Sequence, residues 1–132
     1  MKLEDQVCSL ELAVKLKELG VKQESLFCYQ PIENEKDSVW PRQFNLTEFA
    51  HPSEDERVAA FTVAELGEMF PAILDNEYYF TSVKLDDLHH WGADYRNWKT
   101  NDLFCLWDTE AETEANARAK MIIHLIENKL MG

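Results

Sequence analysis

The segment Thr113–Leu130, TEANARAKMIIHLIENKL, constrains the chain more than any other. Ala115, Ala119, Ile122, Ile123, Ile126 and Leu130 recur at three- and four-residue steps, so they form one stripe of an α-helix. Thr113 can accept from an open N–H of the first turn, Glu114 suits the positive end of the helix dipole, and Lys129 suits the negative end. Met121 and Leu125 lie off the stripe, and only Lys120, His124 and Glu127 make a polar side. A helix this apolar needs cover on more than one face, which makes it the expected spine of the core. If that cover were another copy, Met121 and Leu125 would be the contact, and the chain would be a self-assembling structural subunit.

The rest of the chain supplies elements to pack on that spine. Ser9 can cap a helix running to Leu19, with Gly20 closing it and Cys8, Leu12, Ala13, Leu16 and Leu19 inward. The letters LKELGVKQESLF have the outline of a helix-turn-helix. The stretch after the turn, Val21–Phe27, is short and carries one Lys and one Glu, which suits no recognition helix. A strand at Leu26–Gln30 explains the same residues. Ser38–Phe44 is its candidate partner, with Pro41 restricting it to an edge. A polar loop covers about 45–57 and is expected to be mobile.

Val58–Phe61 reads as a short strand. Thr62 and Glu65 have the spacing of a capping box, opening a helix that Pro71 ends. Glu77–Leu85 alternates as a strand, Leu88–Lys99 returns beside it, and Leu103–Trp107 makes a third. The expectation is a single domain over 1–132 of α+β class. An antiparallel sheet of about 4–5 strands would carry two to three packed helices, with the C-terminal helix as spine.

Three of these segments, taken in order, carry a resemblance. They are Ser9–Ala13 with Leu16–Phe27, Ala60–Gly67 (AFTVAELG) and Thr113–Met121 (TEANARAKM). Together they resemble a group of small uncharacterised proteins carried by bacterial prophages and other mobile elements. The resemblance covers about half of the chain and implies a cytoplasmic accessory protein in a phage or host setting. It brings no catalytic residues with it.

Charge and motifs narrow the chemistry. Acids exceed bases 25 to 13, a net charge of −12, and the excess holds in both halves. Clustered Lys and Arg are what bind phosphate backbones, so direct nucleic-acid binding is disfavoured. A partner protein is the better expectation, including the variant in which an acidic face imitates DNA. No run of ~18 apolar residues offers a membrane span, and the acidic start MKLEDQ does not read as a secretion signal, so a cytoplasmic setting is expected. Cys8, Cys28 and Cys105 are odd in number and far apart, as buried thiols are. With four glycines there is no G-x-G-x-x-G and no P-loop, and no H-E-x-x-H or G-x-S-x-G occurs. No catalytic residue and no cofactor is nominated.

Two candidate sites remain. Eight of the fifteen aromatics fall between Tyr78 and Trp107. Of these, Tyr78, Trp91, Tyr95 and Trp98 alternate with polar residues and would line an exposed binding face. Glu77–Asp108 holds six acids and three bases, which favours a protein or a sugar over a stacked nucleic acid. The alternative is a small metal-dependent hydrolase in which Asp86, Asp87, His89 and His90 hold a divalent ion. Adjacent residues on a strand point to opposite faces, which works against His89 and His90 sharing it. His51, near Glu48, Glu54 and Asp55, is a weaker candidate of the same kind.

Overall fold

The computed structural model describes residues 3–29, 39–41, 58–74, 76–84, 90–102 and 109–130. Its elements run α1 (Leu3–Gln6), α2 (Leu10–Glu18), β1 (Phe27–Tyr29), β2 (Val39–Pro41), β3 (Val58–Ala59), α3 (Val63–Met69), β4 (Ile73–Leu74), β5 (Tyr78–Lys84), β6 (Trp91–Asn97) and α4 (Glu114–Glu127). The class is α+β, and the C-terminal helix packs on β6, α3 and α2. The described strands divide between two antiparallel sheets of three, ordered β2-β1-β3 and β4-β5-β6, rather than forming one.

Local chemistry sets the helix ends. Ser9 Oγ accepts from Leu12 N at 3.3 Å and opens α2. Gly20, at φ +89°, closes it. Gly20 N donates to Lys17 O and Val21 N to Leu16 O, so two carbonyls of the last turn are satisfied. α4 ends in the same pattern, with Lys129 N on Ile126 O and Leu130 N on Leu125 O. Here the left-handed position at φ 58° is filled by Lys129, where glycine would be unstrained.

α4 is covered on several sides. Ala115, Ala117, Ala119, Met121, Ile122 and Leu125 are all fully buried, and Ile123 nearly so. Met121 and Leu125 therefore do not form an exposed contact: they pack inside one copy of the chain. Ser9 N donates to Asn116 Oδ1 at 2.7 Å, tying the start of α2 to the first turn of α4.

The first sheet pairs Cys28 with Trp40 on one side and with Ala59 on the other. Pro41 stands on β2, an edge strand, where its missing N–H leaves no central ladder bond unmade. The second sheet is a meander. β5 and β6 pair along their full length from Tyr78↔Asn97 to Lys84↔Trp91, and β4 joins β5 through Ile73↔Tyr79. The two-residue β4 was not anticipated, being too short to show an alternation. The expected strand at Leu103–Trp107 and the polar loop at 45–57 lie outside the described residues.

Candidate functional site

Register on the second sheet decides which aromatics meet solvent. Tyr79 pairs with Ile73 on one side and Arg96 on the other, so these three share a row on one face. Trp98 N donates to Glu77 O at 3.2 Å, which continues the register one step past β6 and puts Trp98 on the side of Arg96. Exposure agrees: Ile73 is 49%, Tyr79 39% and Trp98 55% exposed. Arg96 Nη1 donates to Asn101 Oδ1 at 3.0 Å, which holds the guanidinium at the margin of this patch. Asn101 itself sits at φ 68° in the turn after β6, whose amides at Lys99 and Thr100 are capped by Asn97 Oδ1.

Of the four aromatics expected on an exposed face, only Trp98 is there. Tyr95 is fully buried, and its hydroxyl donates to Pro71 O at 2.6 Å. Its ring meets Phe70 and Phe80 edge-on, while Phe70 and Phe80 stack at 4.1 Å. Tyr78 and Trp91 are half-buried against the core, and Trp91 exchanges backbone hydrogen bonds with Ala111. The middle of β6 is covered on both faces: Gly92, Ala93, Asp94 and Tyr95 are buried in succession, so polar alternation there does not mark a solvated side. Tyr79 and Ile73, the residues that sequence reasoning left off the site, belong to the opposite row of β5 and to the unanticipated β4.

Asp94 is the one acidic side chain in the buried set of the described residues, and its Oδ1 accepts from Tyr95 N at 2.7 Å. Fully enclosed, it meets no substrate from solvent.

Of the proposed metal ligands, Asp86, Asp87 and His89 lie outside the described residues, as does His51. His90 is half-buried and lines an open cavity of about 540 Å³ with Ser9, Glu11, Glu110, Glu112 and Lys120. Among the described residues, no group of three or more His, Cys, Asp or Glu is arranged to hold a metal ion. No described helix is long and apolar enough to cross a membrane.

Cys105 lies outside the described residues, and the two described thiols are enclosed. Cys8 is fully buried and Cys28 almost so. Burial pushes the Cys8 thiol up to about 11, against the smaller opposing effect of backbone hydrogen bonds, so it stays protonated at neutral pH.

A shallow groove of about 580 Å³ runs between α2 and α4, with Val14 and Ile123 among its lining residues. No protein-family model matches the chain, and no curated protein and no solved structure matches it.

Proposed function

We propose that the chain is a non-enzymatic binding module that engages a protein partner through the outer face of its second sheet. The observation that carries this reading is the exposed patch of Ile73, Tyr79 and Trp98 around Arg96 on one face of the sheet. Aromatic residues and arginine are what protein interfaces concentrate, and two χ angles make Tyr and Trp inexpensive to order on binding. Arg96 is already oriented by Asn101, so its guanidinium loses little freedom on meeting a carboxylate or a carbonyl. The net charge of −12 supports a partner that is basic overall and is drawn in at long range. The setting we propose is the bacterial cytoplasm, with the chain as an accessory protein of a prophage or mobile element.

The test is affinity capture from a bacterial lysate with the natural chain and with the Tyr79→Ala/Trp98→Ala double variant, each washed at low and high salt. One dominant salt-resistant partner, lost with the double variant, supports the reading. Removing an aromatic anchor at the centre of an interface costs about 2 kcal/mol or more, enough to lose capture. A partner retained by the double variant moves the interface elsewhere. A partner that high salt alone removes assigns binding to the acidic surface, as a DNA-imitating inhibitor would show.

A further inference from the structure

We infer that the groove between α2 and α4 is a second docking site, fitted to a basic amphipathic helix. This does not rest on the sheet face and uses none of its residues. The two helices present matching stripes to the groove. α2 offers Glu11, Val14, Lys15 and Glu18, and α4 offers Lys120, Ile123, His124 and Glu127. Each set has the spacing i, i+3, i+4, i+7, which is one face of a helix. Each carries an aliphatic residue at its second position. Val14 is 37% exposed, where the inward positions Ala13 and Leu16 are fully buried. With Leu12 and Ile123 it gives the groove an apolar floor.

Charge names the occupant. The groove continues into the cavity beside His90 through the shared residues Glu11, Leu12 and Lys120. Along both, Glu11, Glu18, Glu110, Glu112 and Glu127 face two lysines. Both lysines are engaged within the chain. Lys15 pairs with Glu127 at 3.5 Å across the helices, and Lys120 Nζ donates to Glu110 O at 2.8 Å. The excess is negative and flanks an apolar strip. A helix with a leucine stripe and lysines on both sides complements it, whereas an acidic or wholly polar helix does not. The groove is walled by Glu11–Glu18 on α2 and Lys120–Glu127 on α4, about 12 Å at 1.5 Å per residue, which seats about two turns of a partner. The Lys15–Glu127 pair is half-exposed and contributes little, so an incoming cation can take over Glu127 at small cost.

The test is fluorescence anisotropy with three labelled synthetic peptides of about four helical turns. One carries leucines at i, i+3, i+4 and i+7 with lysines between them; one has the same residues in an order that scatters the leucines; one replaces the lysines with glutamates. The amphipathic basic peptide is expected to bind about tenfold more tightly than the scattered one, and the acidic one not to bind. Glu11→Lys/Glu18→Lys and, separately, Val14→Lys should each weaken it about tenfold with an unchanged melting temperature, while Trp98→Ala leaves it unchanged. Equal affinity for the scattered peptide, absence of binding, or groove variants that bind as before would each overturn the inference. So would a similar loss in Glu68→Lys, which changes the charge on α3 away from the groove.

Discussion

Gly67 leaves on α3 the space that the guanidinium of Arg118 occupies on α4. A Cβ at position 67 would stand against Arg118 Nη1 closer than packed atoms come. Arg118 cannot simply swing aside. Its Nη1 donates to Val63 O at 3.0 Å, its Nη2 pairs with Glu114 Oε2 at 3.0 Å, and its charge lies 5.3 Å from the Phe80 ring centre. Ser82 Oγ donates to the same Glu114 oxygen at 2.6 Å, so one network joins α3, α4 and β5.

The sign of Gly67→Ala should therefore depend on residue 118. In the natural chain the alanine gains about 1 kcal/mol of helix propensity but displaces a charged hydrogen-bond donor worth about 1.5–3 kcal/mol, for a net loss of ~1 kcal/mol. In an Arg118→Met background the obstruction is gone, and the same change should stabilise by up to ~1 kcal/mol. A double-mutant cycle in urea measures this. The same sign in both backgrounds would show that the contact is relieved without consequence.

Glu65 does more than complete a helix cap. Its Oε1 accepts from Thr62 N at 2.9 Å, closing the capping box, and from Ser25 Oγ at 2.8 Å. Its Oε2 accepts from Leu26 N at 3.0 Å. One carboxylate thus fixes the start of α3 and the approach to β1, where Gln23 Oε1 also takes Ala59 N. Thr62→Ala removes the cap alone and should cost about 1 kcal/mol. Glu65→Ala also removes the acceptor of the Leu26 amide and one of the two acceptors of the Ser25 hydroxyl, which keeps Ala60 O, and should cost about 2 kcal/mol. Equal costs in chemical denaturation would reduce Glu65 to a capping residue.

What could be foreseen in the sequence was local chemistry. Ser9, the Thr62–Glu65 box and Thr113 announce three helix starts, because a cap is satisfied by atoms three residues away. The turn at Gly20 and the edge position of Pro41 follow from backbone freedom in the same way. Burial was harder, because it is decided by what packs from elsewhere. Tyr95 alternates with polar neighbours, yet β6 is closed on both faces from Gly92 to Tyr95. Met121 and Leu125 lie off the main stripe of α4, yet α2, α3 and β6 surround it. The exposed patch at Ile73, Tyr79 and Trp98 depends on the β4-β5-β6 register, which no single segment encodes. The paired stripes at 11, 14, 15, 18 and 120, 123, 124, 127 were visible as letters. They become a groove only once two helices 100 residues apart lie side by side.

Burial of the off-stripe residues sets apart the two roles that α4 could have had. Leu125→Ala should cost about 2–5 kcal/mol in urea denaturation, as a filled core position does, while the solution mass stays that of the natural chain. Met121→Ala should behave alike. Unchanged stability with a smaller assembled mass would restore these residues to an interface between copies.

Alkaline pH should weaken the fold through Cys8. Its thiol rises from an ordinary 9.0 to about 11 because it is fully buried, in the short segment that joins α1 to α2. Below pH 9 both folded and unfolded chains keep the proton, and stability does not depend on this group. Between pH 9 and 11 the unfolded chain releases it while the folded chain holds it, so stability falls as pH rises, by up to about 1.4 kcal/mol per pH unit. Burial also raises the Tyr95 phenol, which adds a second loss in the same direction once pH passes its ordinary 10.0. The two separate in the window just above pH 9. There, Cys8→Ala should flatten the descent of the unfolding free energy measured in urea, after lowering that free energy at all pH by ~1 kcal/mol for the lost packing. Native protein should also resist thiol reagents at Cys8 until denaturant is added. A Cys8→Ala chain whose unfolding free energy falls as steeply as before between pH 9 and 10 would remove this thiol from the alkaline limit of stability.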